Sequence, residues 1–204
     1  MREVFTSFGI PLSETDQLAQ KLFFEGKDAR IPIVKKFDIP KIEMPDHFYS
    51  LMDADEKNIL LRKAIRFLDS KNIDFTSYPF YLSTGKSNSD DMTENTIARS
   101  LANRLIIPAF KDGVMIYYTA RALDNTAKMK YLNAHVPRTS VLYGMDKLFK
   151  DVEKPLFITE GFWDSHHLDG VCVLENNMTA SQIALLNRSP RRKIVVPDRK
   201  LKKE

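Results

Sequence analysis

Pro155-Leu-Phe-Ile-Thr-Glu160-Gly161-Phe-Trp-Asp164 is the stretch on which the reading of this chain turns. Leu156 to Thr159 is a short apolar run, β-branched at its end, that stops at a Glu-Gly pair. Such a run predicts a buried parallel strand that delivers one carboxylate to its C-terminal edge, with glycine letting the backbone turn into a helix. Asp164 lies four residues beyond Glu160, so it falls in the first turn of that helix and faces the same crevice. A second run, Lys193 to Val196, leads through Pro197 to another acid, Asp198. Two strands of one sheet then present Glu160, Asp164 and Asp198 where open parallel sheets place their ligands. Clustered carboxylates repel unless a cation sits among them, and hard oxygen donors suit Mg²⁺ or Mn²⁺. An isolated Glu-Gly at a strand end is otherwise an ordinary turn.

Composition narrows the classes. The chain has 204 residues, 43% of them hydrophobic, enough for one domain or two small ones. No run approaches the roughly eighteen apolar residues of a membrane span, and the N-terminus lacks a signal-peptide pattern. The single cysteine, Cys172, excludes an internal disulfide framework and fits a reducing compartment. It also excludes a self-contained Cys₄ or Cys₂His₂ zinc site, so no zinc is expected in this chain. A net charge of +4 permits a polyanionic partner without requiring one.

Upstream, Ser13 caps a short helix with Leu18, Leu22 and Phe23 on one face, and Pro32, Pro40 and Pro45 mark an extended connector. Asp53 and Glu56 form a capping-box pattern ahead of Leu60, Leu61, Ala64, Ile65 and Leu68, which predicts a helix over 53–68. Arg62, Lys63 and Arg66 read as its solvated face. The polar segment Ser83 to Thr96 reads as a mobile loop, and its Thr84-Gly-Lys-Ser87 lacks the glycine spacing of a phosphate loop. Arg104–Phe110 and Val114–Leu123 form a hairpin around Lys111-Asp112-Gly113, with Tyr117, Thr119 and Arg121 on one face. A short helix over 145–149 follows. Then come strand 156–159, helix 162–168, strand 171–174, helix 179–188 capped by Thr179, and strand 193–197. His166 and His167 are adjacent on a helix, about 100° apart, and read as packing residues rather than ligands of one ion. Cys172 and Trp163 read as core packing.

Glu160-Gly-Phe-Trp-Asp164 resembles the Glu-Gly-x-x-Asp motif of the TOPRIM superfamily, and Val195-Val-Pro-Asp198-Arg199 resembles the start of its Asp-x-Asp motif. Asn103-Arg104-Leu-Ile-Ile-Pro108, Ala120-Arg121-Ala-Leu-Asp124 and Lys130-Tyr-Leu-Asn133 occur in the order seen in phage and bacterial-type DNA primase cores, so the resemblance covers about 78–198. The second acid of Asp-x-Asp falls at Lys200. The implied fold class is α+β with an α/β part: a basic antiparallel β/helical region, then a partial TOPRIM, Rossmann-like parallel sheet. The implied division is a helix and connector over 1–50, a basic subdomain over 51–150, and the partial TOPRIM subdomain over 151–204. The resemblance implies RNA primer synthesis from NTPs on single-stranded DNA with Mg²⁺ or Mn²⁺ held by Glu160, Asp164 and Asp198 as metal and catalytic residues. It further implies nucleotide or template contacts from Arg104, Arg121, Lys130 and Asn133, with Arg138, Tyr143 and Lys147 added to the same patch. A replicative helicase or a second primase chain would be a partner, and the location would be the cytoplasm, that of the host for a viral protein. Two alternatives remain: a non-catalytic single-stranded-DNA-binding or replisome accessory subunit, and another TOPRIM enzyme such as a nuclease. With Lys200 in place of an acid and little chain beyond it, the expectation is one piece of a split or truncated enzyme, or a core without activity.

Overall fold

The computed structural model describes residues 37–55, 57–174 and 177–197. Five antiparallel strands form the first sheet: β1 (Phe48–Ser50), β2 (Tyr81–Ser83), β3 (Arg104–Lys111), β4 (Val114–Ala122) and β5 (Tyr131–Asn133), in that spatial order. β6 (Leu156–Thr159), β7 (Val171–Cys172) and β8 (Lys193–Val196) form a separate parallel sheet in the order β7-β6-β8. The architecture is α+β, an antiparallel sheet followed by a small parallel one, as the sequence led us to expect.

The β3–β4 hairpin turns at Asp112 and Gly113, whose φ values of 51° and 77° lie in the left-handed region. Two such residues make the turn whose twist matches that of the flanking strands. Pro108 is tolerated inside β3 because β2 pairs only with Leu105 and Ile106, so Pro108 lies beyond the end of that neighbour.

α1 (Ile59–Asp69) buries Leu61, Ala64 and Leu68, the periodic apolar face. Its start differs from the predicted 53. Asn58 is the cap, its side chain accepting from the backbone N–H of Leu60 at 2.8 Å. Asp55 instead turns the chain, accepting from the N–H of Lys57, while Asp53 ends a short 3₁₀ turn over Leu51–Asp53. The other half of the supposed capping box, Glu56, lies outside the described residues.

The predicted loop 83–96 is partly helical. Asp91 caps α2 (Met92–Ser100) by accepting from Thr93 N–H at 2.7 Å. That helix buries only Ala98, so local capping rather than an apolar stripe defines it. Residues 37–45 form neither helix nor strand. Ile42 donates its N–H to Met115 O, and the Arg188 guanidinium lies 4.3 Å over the Phe37 ring. The helix proposed around Ser13 lies outside the described residues.

In the parallel part, α3 (Phe162–His167) follows β6, and α4 (Ala180–Arg188) leads into β8. Thr179 caps α4 in a capping box with Gln182. Gly170 makes a close approach possible: a Cβ there would sit 2.4 Å from Phe157 O, a backbone atom of the central strand. One hydrophobic cluster runs from Phe48 through β3 and β4 to Leu156, Ile158 and Leu186, so the two sheets share a core. Tyr143 joins them directly, since its backbone exchanges hydrogen bonds with Cys172. Among the described residues no helix is long and apolar enough to cross a membrane.

Candidate active site

The acid-bearing turn is held by aromatic packing. Phe162, the first residue of α3, has its ring 5.0 Å from Tyr78, 5.3 Å from Tyr143, 5.1 Å from Trp163 and 6.0 Å from Phe80, centroid to centroid. Edge-to-face contacts of this kind add to burial and fix ring orientation. They lock the start of α3 against the antiparallel sheet. Glu160, just after β6, is half-buried, and Asp164, in the first turn of α3, is exposed. The Asp164 carboxylate folds back over the turn, with Oδ2 3.8 Å from where a Cβ on Gly161 would stand. Gly161 itself has φ −111° and ψ 153°, a conformation open to any residue. The turn therefore does not need glycine, contrary to the sequence expectation. Among the described residues outside its immediate chain neighbours, that carboxylate oxygen of Asp164 is the one atom a Cβ on residue 161 would meet within 4 Å.

α3 also carries His166 and His167, and both are hydrogen-bonded to the segment over 71–77. Ser77 Oγ donates to Asp74 O at 2.6 Å, so Nε2 of His166 is the donor toward Ser77 Oγ at 3.0 Å. Nε2 of His167 donates to Lys71 O at 2.9 Å. Burial, together with the charges of Lys147 and His167, pushes His166 below its usual pKa, against the opposing pull of Asp169. These histidines dock the helix, as the sequence reading held.

The basic positions separate into two groups. Strand register places Thr119 opposite Asn133 and Arg121 opposite Tyr131, so these four residues share one face of β4–β5. Thr119 Oγ1 donates to Asn133 Oδ1 at 3.1 Å. The Arg121 guanidinium lies between two rings, 5.1 Å from Phe67 and 5.0 Å from Tyr131. Its Nε is buried with no hydrogen-bond partner, and Nη1 donates to Lys130 O at 3.4 Å. That acceptor is the backbone carbonyl of Lys130, whose side chain is exposed. Both ring contacts are within cation–π range, and they hold the guanidinium beside two aromatic rings.

Arg104 belongs elsewhere. It pairs with Ala122 on the opposite face, is only 8% exposed, and gives Nε to Ser100 O and Nη1 to both Ala120 O and Met129 O. Burial, and secondarily Arg121, push its pKa down. Tyr143, grouped with the basic patch from sequence, is instead a core residue at 1% exposure whose hydroxyl donates to Ile107 O. Lys147 pairs with Asp169 at 2.7 Å. Arg138 is half-buried near Tyr117, where its charge opposes the upward push of burial on that phenol. Asp198 and Lys200 lie outside the described residues.

Trp163 shares with Arg121 the two aromatic neighbours Phe67 and Tyr131. It stands between Phe162 and Asp164 in the chain, packs edge-on to Phe67 at 5.5 Å, and donates Nε1–H to the Tyr131 hydroxyl at 3.4 Å. No sequence signal distinguished this tryptophan from a core residue.

The arrangement is similar to several solved structures. The zinc-binding and RNA polymerase domains of the Aquifex aeolicus primase match with TM-score 0.54 and 18% identity, over 70% of this chain and 43% of that one. The RNA polymerase domain of Mycobacterium tuberculosis primase DnaG matches with TM-score 0.52 and 16% identity, over 69% and 60%. The E. coli primase catalytic core matches with TM-score 0.51 and 21% identity, over 68% and 56%. The fold is that of a primase catalytic core. The chain spans about half the length of these primase structures. No family model matches the sequence, and no curated protein matches it.

The resemblance noted in the sequence implies a divalent cation. Among the described residues, no group of three His, Cys, Asp or Glu side chains is assembled to hold a metal. Glu160 and Asp164 share one turn, both offer oxygen, and the two neighbouring histidines are engaged elsewhere. That donor chemistry fits a hard ion such as Mg²⁺ or Mn²⁺.

Proposed function

We propose that this chain acts as a primase core, joining ribonucleotides on a single-stranded DNA template by metal-dependent phosphoryl transfer. The observation that supports the reading is the Trp163 contact with Tyr131, the residue whose ring lies 5.0 Å from the Arg121 guanidinium and whose strand carries Asn133 on the same face. Phosphoryl transfer needs in-line positioning and neutralised charge at phosphorus, and little else from a protein. In this scheme residues 151–204 supply the acids and 51–150 supply the basic shelf. Glu160 and Asp164, with Asp198 as the third candidate, would hold the divalent ion. The ion, when bound, supplies charge neutralisation and activates the attacking hydroxyl. Arg121 presents its N–H edge to phosphate oxygens, Lys130 adds a point charge, and Asn133 is oriented by Thr119 for a polar contact. Arg104 is not in this set, because its guanidinium is spent on backbone carbonyls. Support for a DNA substrate comes from similar structures described as DnaG primase bound to single-stranded DNA and, from M. tuberculosis, to double-stranded DNA.

Gly161 gives a smaller prediction. Gly161→Ala should leave stability within about 1 kcal/mol of the parent, because relief of chain entropy offsets a poorer helix cap. Primer yield should fall, because the new methyl group sits against the Asp164 carboxylate, 3.8 Å from its Oδ2. A thermal melt and a primer assay on the same preparation check both halves.

The deciding experiment is primer synthesis with labelled ribonucleoside triphosphates, single-stranded template and Mn²⁺ or Mg²⁺. Short RNA that requires template, nucleotide and metal supports the proposal. Salt-sensitive DNA binding without product would favour the accessory-subunit reading. Shortening of the DNA without nucleotides would favour a nuclease.

A further inference from the structure

The turn after β6 has two successive carbonyls, and each is gripped by a side chain. The Cys172 thiol donates to Glu160 O at 3.0 Å, and its sulfur accepts from Leu174 N–H at 3.3 Å. Thr159 Oγ1 donates to Gly161 O at 2.9 Å, and that carbonyl also accepts from Ser165 N–H at 3.2 Å inside α3. Thr159 and Cys172 are register partners on β6 and β7, 2% and 1% exposed. Burial alone would be served by two apolar residues. What these two add is a hold on both peptide planes that follow Glu160. Such a hold matters because Gly161 has the widest conformational freedom of any residue, and that freedom would pass to the carboxylate beside it.

We propose that Thr159 and Cys172 are positioning residues that fix the Glu160–Gly161 and Gly161–Phe162 peptide planes and so aim the Glu160 carboxylate at a divalent cation. The inference rests on Glu160 being a metal ligand, as proposed above. Outer groups that orient a ligand change metal affinity by about 10–100-fold when they are lost.

Mn²⁺ binding to the full chain, followed by the electron paramagnetic resonance signal of the free ion, tests this without any activity assay. Cys172→Val and Thr159→Val remove the donors while keeping apolar bulk, and each should weaken Mn²⁺ binding about tenfold, whereas Cys172→Ser and Thr159→Ser should stay within about twofold of the parent. Rescue by serine is the readout that simple packing would not give, since serine fills the core worse than valine does. If the valine variants bind Mn²⁺ like the parent while Glu160→Gln does not, the positioning role is overturned and the metal reading survives. If Glu160→Gln itself binds like the parent, the metal reading falls and takes the positioning role with it. Should Cys172→Val fail to fold, as judged by its melt, the Thr159 pair decides the matter alone.

Discussion

Glu160→Gln is expected to melt like the parent and to lose primer synthesis by at least about 100-fold, since even outer-shell changes at metal sites cost up to that much. The change keeps the size of the side chain and its place after β6, and it removes only the charge. Two properties of the position make the effect large. Glu160 is half-buried at the rim of the shared core, where a charge interacts more strongly with a cation than it would in water. Its backbone is also held, so no neighbouring conformer can bring another oxygen to the same point. Asp164→Asn should cost less, because Asp164 is exposed and water can take over part of its role. The comparison needs three measurements on each variant: melting temperature, Mn²⁺ binding and primer yield. Full primer yield from Glu160→Gln would remove the acid turn from the reaction and leave the fold similarity without a chemical centre.

The parallel half was the more legible part of the sequence. Leu156–Thr159 has no polar interruption, and the Glu-Gly that follows marks its end, so strand and turn both came from local pattern. Asp112-Gly113 did the same for the hairpin, where backbone sterics permit few other residues. α2 was missed because periodicity detects buried faces, and this helix buries only Ala98. α1 was placed too early because three acid or amide residues compete to cap it. Asn58 wins, since Asp55 is committed to a turn.

The candidate site was legible only as a set of residue types. Arginine at a strand start can face phosphate or tie backbone together, and the sequence does not say which. Arg104, tied to backbone carbonyls, and Arg121, set against two rings, lie on opposite faces of the sheet, a distinction that appears only once the register is known. Cys172 read as packing because its bond to Glu160 O joins residues from two strands. Such contacts depend on which strands become neighbours, and the β7-β6-β8 order reverses what sequence proximity would suggest for β8.

Arg191 is the sharpest case of a residue the sequence hides, and it yields the largest stability prediction. In the sequence it stands in Ser189-Pro-Arg-Arg-Lys193, with cationic residues on its C-terminal side. In the fold it is 3% exposed, and each guanidinium nitrogen finds a backbone carbonyl: Nε donates to Lys154 O at 3.0 Å, Nη1 to Lys147 O at 2.7 Å and Nη2 to Pro155 O at 2.7 Å. One side chain thus ties the 3₁₀ turn over Met145–Phe149 to the residues that enter β6, while Leu156 N–H takes the carbonyl of the adjacent Arg192 at 2.7 Å. Hydrogen bonds to a charged group contribute roughly 1.5–3 kcal/mol each, so simple addition would give roughly 5–9 kcal/mol for the three. Water entering the vacated space would recover part of that, which brings the expected cost of Arg191→Ala to about 3–5 kcal/mol, against a total stability of about 5–15 kcal/mol for a folded domain. Lysine should not restore it, because one ammonium group cannot reproduce the planar fork that meets three carbonyls at once. Arg192→Ala, at an exposed neighbour, should stay within about 0.5 kcal/mol of the parent. Urea unfolding of the three variants separates the cases: a midpoint for Arg191→Ala close to that of Arg192→Ala would mean that the three carbonyls find other partners, and that the entry to β6 is held by its apolar packing alone.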